Sequence, residues 1–335
     1  LKPNLLEKIA IKGLGLPLSF FEEVTIESNQ KPKTSKKALL MSEIVANAEN
    51  ILRFVQDRVD VSGLKKFFDT EPTRPLIATG HGGKFSQAVY AALLYSSNKG
   101  LGRAVTCYSC NSLSDATLKN SKILLCSRGM ANIDIDYIAK RCLRLNKDFT
   151  CAMRINSDLE EEKKYKDTVE KLKGCRFSFL LDVKDIELSE NFIGISSVFF
   201  YTSILYKAFC EDNDFVSKLE LNKNPLENYT YAAASELADV PSLSSIKHFT
   251  VLYGSDAEPI AYNIESNIVE AGIASCMISD YKNYTHGRFM TEGNYIRSKE
   301  HPTTEAALIC LVTPREARIY EDLLAAMPPH LPIVT

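Results

Sequence analysis

The chain has no excess of charge of either sign: 40 Lys and Arg stand against 42 Asp and Glu, a formal net charge of −2 over 335 residues. The two signs are interspersed, which leaves no basic face for nucleic acid or for an anionic membrane surface. Apolar runs are short, and none approaches the ~20 residues needed to cross a bilayer. No charged-then-apolar leader of the secretory kind is present. The nine cysteines are odd in number and sit mostly inside apolar runs such as Ile123–Ser127 and Ala307–Val312. They form no disulfide framework and read as reduced core thiols of a cytosolic protein. One C-x-x-C occurs, Cys107-Tyr108-Ser109-Cys110. No second pair follows at zinc spacing, and the pair reads as the end of a strand rather than the opening of a helix, so a metal or redox role is set aside. The glycine-rich turn near residue 80 has no third glycine at the dinucleotide spacing, nor an acidic residue closing the second strand.

What is present is an alternation of apolar strands and helices. Residues 1–35 read as an extended arm, and a helix follows from Thr34-Ser35 through Arg58, with Leu39, Leu40, Ile44, Ala48, Ile51, Leu52 and Val55 on one face. Strands are expected at Leu76–Ala78, Arg103–Cys110, from Ser121, at Asp148–Asn156 and at Cys175–Val183. Helices are expected at Phe85–Leu94 and Ser196–Asp212, while the charged segment Leu159–Gly174 reads as solvated surface. A linker is expected over Asp212–Ser245. The alternation then resumes, with strands at 248–254, 273–280 and Ala306–Val312, a helix over Pro314–Ala326 and the opening of a fourth strand. The pattern predicts two doubly wound, flavodoxin-like parallel-sheet sandwiches of three layers each, in tandem, behind an N-terminal arm and helix: 1–70, 71–212, a linker 213–245, and 246–335. The non-Met start, and an end at the opening of a strand, read as a piece of a longer protein.

The stretch most able to carry chemistry is Pro259–Arg288. Ser255 followed by Glu258 is a capping-box pattern, Ile260, Ile264 and Ile268 form an apolar stripe, and Gly272 sits where a helix should close. Glu270 falls in the last turn, where the negative end of the helix dipole disfavours the ionised carboxylate, which suits a proton acceptor. Ile273–Asp280 reads as the next strand, with His286 in the loop beyond it. One turn could face an anion. Gly80-His81-Gly82-Gly83, between a strand and the helix from Phe85, presents backbone N–H groups and a helix N-terminus, with Lys84 beside them. Ser127-Arg128-Gly129-Met130, with Asn132 and Asp134, follows the strand that begins at Ser121.

These motifs resemble the sugar isomerase (SIS) superfamily, in the branch that holds the isomerase domains of glucosamine-6-phosphate synthases and bacterial two-domain phosphosugar isomerases. Pro259-Ile260-Ala261, Glu270 and His286-Gly287 match its order and spacing without a gap. The first turn is similar to its G-x-G-x-S, with Lys84 in place of serine. The second is similar to its S-x-S-G-x-x-x-D, with Ser127 kept, Gly129 in place of the second serine and Met130 in place of the glycine. The resemblance implies a phosphosugar aldose–ketose isomerase, or an amino-sugar-phosphate isomerase or deaminase, working by acid–base transfer without metal or organic cofactor. Glu270 would shuttle the proton and His286 open the ring, while Gly82, Gly83, Lys84, Ser127, Arg128, Asn132 and Arg288 would bind substrate. It also implies a homodimer, with His286 serving the partner's site, and a C-terminal tail that brings a lysine to the sugar. Two rival readings use the same residues. One is a degenerate module that senses a phosphosugar or nucleotide and regulates a partner, favoured by the altered serine loop. The other is a dimerising scaffold, against which the retained Glu270 and His286 speak.

Overall fold

The structure is a computed structural model that describes residues 50–130, 133–155, 159–181, 193–209, 246–270, 272–291, 305–327 and 331–335. Contacts divide it into two compact units, one within Asn47–Leu221 and one whose described part lies within Asn222–Thr335.

The first unit is built on β1 (Leu76–Gly80), β2 (Gly102–Thr106), β3 (Lys122–Ser127), β4 (Thr150–Ile155) and β5 (Phe179–Leu181), all parallel and ordered β2-β1-β3-β4-β5. β1 and β3 are buried along their whole length, so they read as continuous apolar runs, as central parallel strands do. Helices cover both faces. In chain order they are α1 (50–58), α2 (Ser62–Asp69), α3 (Phe85–Asn98), the short α4 (Cys107–Asn111) and α5 (Asp115–Lys119), α6 (Ile133–Asn146), α7 (Leu159–Lys173) and α8 (Ile193–Phe209). Alternation along β3 sends Leu124 and Cys126 into one core with Phe67, Tyr95 and Tyr201, and Ile123 and Leu125 into the other with Ile138, Val169 and Leu172.

Of the predicted N-terminal helix, 50–58 is helical, with Ile51, Leu52 and Val55 buried. Its earlier part, the arm and the 213–245 linker lie outside the described residues. The Lys207 ammonium closes the end of α1, donating to the carbonyls of Val55, Gln56 and Val59 at 2.9, 2.7 and 2.8 Å. The segment read as solvated surface is the helix α7, and it buries Tyr165, Val169 and Leu172 beneath its charges. Cys107 and Cys110 correct another expectation. They open the helix α4, whose first turn is capped by the Thr106 hydroxyl accepting from Ser109 N–H at 3.2 Å. Both are buried, and burial raises both thiols, Cys110 to about 12, so neither is a ready thiolate.

The second unit holds β6 (His248–Tyr253), β7 (Ser275–Asp280), β8 (Ala306–Cys310) and the two-residue β9 (Ile333–Val334), parallel and ordered β7-β6-β8-β9. Its helices are α9 (Glu258–Glu270), the short α10 (Tyr281–Thr285) and α11 (Ala317–Ala326). One apolar cluster holds Leu252, Tyr281, Tyr284 and Leu323; the other, around Phe249 and Val334, takes Ile268 of α9. Ser255 does not start α9. A 3-10 turn over Ser255–Ala257 follows Gly254, no side chain caps it, and the helix begins at Glu258. The expected stripe is also shifted: Ile260 is 54% exposed, and Pro259 and Ala261 are the buried residues. The closure at Gly272 is as expected. Gly272 adopts φ +63°, its N–H donates to Val269 O, and Ile273 N–H donates to Ile268 O, the paired bonds of a glycine-closed helix end.

Candidate functional site

In an open parallel sheet ligands sit beyond the carboxyl ends of the strands where the strand order reverses. In the first unit that point lies between β1 and β3, where Gly80 pairs with Cys126. Both glycine-containing turns leave the sheet there. A Cβ on Gly80 would stand 2.5 Å from the Lys84 carbonyl oxygen, so the turn can fold back on the strand end only over glycine. Gly82–Lys84 forms a 3-10 turn that runs straight into α3. The Ser86 hydroxyl ties it from below, donating to Gly83 O at 2.8 Å.

The loop after β3 is held by its own serine. Ser127 Oγ accepts from Met130 N–H at 3.0 Å and retains its hydroxyl proton for another acceptor. Met130 takes φ +59°, the left-handed backbone that a glycine adopts freely. A side chain there costs roughly 1–2 kcal/mol, which burial of the Met130 side chain among Ile135, Ile138 and Leu125 offsets.

Tyr201 on α8 links the two turns. Its hydroxyl donates to Ser127 O at 2.5 Å and lies 3.3 Å from Met153 O, bracing the ends of β3 and β4. Lys84 Nζ stands 5.3 Å from the centroid of the same ring. Gly82, Gly83, Lys84, Ser127 and Arg128 thus belong to one strand-end region. Asn132 lies outside the described residues.

In the second unit Glu270 and His286 are separated. α9 crosses from the carboxyl edge of the sheet to its amino edge, where Ser275 N–H donates to Lys247 O just ahead of β6. Glu270 ends the helix at that amino edge, exposed, with Oε1 accepting from the Ser266 hydroxyl at 2.7 Å. Glu265, half-buried on the same helix, is raised above its ordinary range by burial and then by the charge of Glu270. His286 follows α10 at the opposite edge, exposed, its N–H donating to Lys282 O at 3.1 Å. β7 has six residues, and its rise alone places about 17 Å between its ends. Arg288 shares the carboxyl edge and donates from Nη1 to Ile278 O at 3.1 Å.

That carboxyl edge carries carboxylates beside Arg288. Glu258 is raised by burial and by neighbouring Asp280, and Tyr253 is pushed up to about 12 by burial and by Glu258. Asp280 caps α10, with Oδ1 accepting from Asn283 N–H at 2.8 Å.

No family model and no curated protein matches the chain in sequence. Solved structures match in fold. The C-terminal domain of glucosamine-fructose-6-phosphate aminotransferase from Francisella tularensis superposes with a TM-score of 0.53 at 12% identity, covering 89% of this chain and 82% of that one. Tagatose-6-phosphate ketose/aldose isomerase from Escherichia coli gives 0.53 at 14% identity, covering 85% and 75%. Glucosamine-6-phosphate deaminase from Thermotoga maritima gives 0.53 at 11% identity, covering 87% and 81%. The tandem α/β architecture is shared with these structures. Among the described residues no helix is long and apolar enough to cross a membrane.

Proposed function

We propose that the chain is a sugar-phosphate isomerase, or an amino-sugar-phosphate isomerase or deaminase, with the phosphate held in the first unit and the proton moved by Glu270. The observation that carries this reading is the strand-end region of β1 and β3. There a glycine turn, Lys84 and the Ser127 hydroxyl meet at the switch point of a doubly wound sheet. In the isomerisation, His286 assists opening of the sugar ring. The Glu270 carboxylate then takes the proton from C2 of the open-chain aldose, leaving an enediolate; the hydroxyl proton passes from O2 to O1, and Glu270 returns its proton to C1 to give the ketose. No redox partner is needed. Because Glu270 and His286 stand at opposite edges of their own sheet, one copy's pair cannot meet on a single carbon chain. The reading therefore takes them from two chains of a homodimer. The test is aldose–ketose interconversion over a panel of hexose phosphates, with Glu270→Gln and His286→Ala measured alone and mixed. Activity restored by mixing supports a shared site; an inactive wild type refutes the catalytic reading.

The same separation of Glu270 from His286, with Gly129 in place of a phosphate-binding hydroxyl, favours a second reading. In it the protein senses a phosphosugar and regulates a partner without catalysis. Ligand-induced thermal stabilisation without turnover would select it.

A further inference from the structure

Arg154 is the one charged residue of strand β4, and only 6% of it is exposed. It pairs in register with Ser127 across the β3–β4 ladder. Neighbouring parallel strands lie about 4.8 Å apart and register partners project to the same face. That face is fixed by the cores: Leu125 and Ala152 enter the cluster beneath α6 and α7, whereas Cys126 and Met153 enter the opposite one. Ser127 and Arg154 therefore stand side by side on the α6 side at the carboxyl end of the sheet, and Tyr201 braces both strand ends from the other side.

Two features of the loop after β3 call for a cation at this place. Gly129 and Met130 offer no side-chain hydroxyl to an anion. The first turn of α6 carries Asp134 and Asp136, whose charge opposes the favourable field of the helix N-terminus. Asp136 is engaged by Lys140 Nζ at 2.7 Å and by the Thr168 hydroxyl at 2.5 Å.

We propose that Arg154 is the phosphate-anchoring residue of the loop after β3, its guanidinium and the Ser127 hydroxyl together gripping a phosphate monoester. A guanidinium offers two parallel N–H groups to two phosphate oxygens, and inside a buried edge such a contact is stronger than a neutral hydroxyl's. Arg154 thus supplies what the thinned serine loop lacks and selects for phosphorylated sugars. The proposal rests on the reading of the β1–β3 switch point as the phosphosugar site.

The test uses calorimetric titration of the full chain with hexose 6-phosphates and with inorganic phosphate, on wild type, Arg154→Met, Arg154→Lys, Ser127→Ala and Lys84→Met. Arg154→Met is expected to bind about 10- to 100-fold more weakly. Arg154→Lys, which keeps the charge and loses the fork, should fall between it and wild type. Affinity unchanged in Arg154→Met, with loss in Ser127→Ala or Lys84→Met, overturns the role of Arg154 and leaves the site standing. Absence of binding by wild type overturns the site and the role together. If Arg154→Met does not fold, Arg154→Lys decides: affinity equal to wild type refutes the bidentate contact.

Discussion

Replacing Tyr201 by Phe isolates one hydroxyl whose work can be calculated. The ring is fully buried beside Ile204, Leu205 and Cys126, and Phe keeps that packing and the face that Lys84 overlies. What is lost is the proton donated to Ser127 O at 2.5 Å, with Met153 O 3.3 Å away. Leaving a buried carbonyl without its donor costs about 1–3 kcal/mol. In a unit of this size each kcal/mol lowers Tm by roughly 2–4 °C, so a fall of roughly 5 °C is expected in the transition of the first unit, followed by calorimetry. Phosphosugar affinity should fall with it, because the same bond fixes the end of β3 that carries Ser127. A variant with unchanged Tm and unchanged affinity would refute the bracing role.

Three further outcomes are expected. Gly129→Ser places a hydroxyl at a position whose glycine is not among those with positive φ, and should tighten phosphosugar binding by about tenfold in a calorimetric titration. Lys207→Met removes three donors from the end of α1 and should lower stability in urea by about 2 kcal/mol. Lys122 is fully buried, donates to Phe68 O at 2.7 Å, and is lowered to about 8, chiefly by burial. Between that value and its ordinary 10.5 the unfolded chain holds more protons than the folded one, so this group's contribution to stability rises with pH through that window. Urea midpoints at pH 7.5 and 9.5 should show wild type gaining on Lys122→Met as pH rises.

The strand–helix alternation, the closure at Gly272 and the glycine turn after β1 are local properties, written in periodicity and in residues with special backbone freedom, and they were legible. The exposure of Ile260 and the start of α9 after Ser255 depend on how α9 meets the sheet, which a repeat of four does not specify. Tyr201 and Arg154 reach Ser127 from 74 and 27 residues away, so only the tertiary fold brings them to it. A single arginine in the run TCAMRI was the available signal for Arg154, since a charge in a buried strand needs a reason. Nothing in the sequence marks Met130 for the left-handed backbone it adopts, because its side chain is held there by the core beneath α6.

Proton transfer by Glu270 on a bound sugar phosphate is the step on which the proposed activity depends. Its most direct test incubates the protein in heavy water with hexose and amino-hexose phosphates while NMR follows deuterium at C1 and C2. Incorporation with at least one sugar, and its loss in Glu270→Gln, is expected. Thermal stabilisation by a phosphosugar with no deuterium entering any carbon would contradict it and make the protein a sensor.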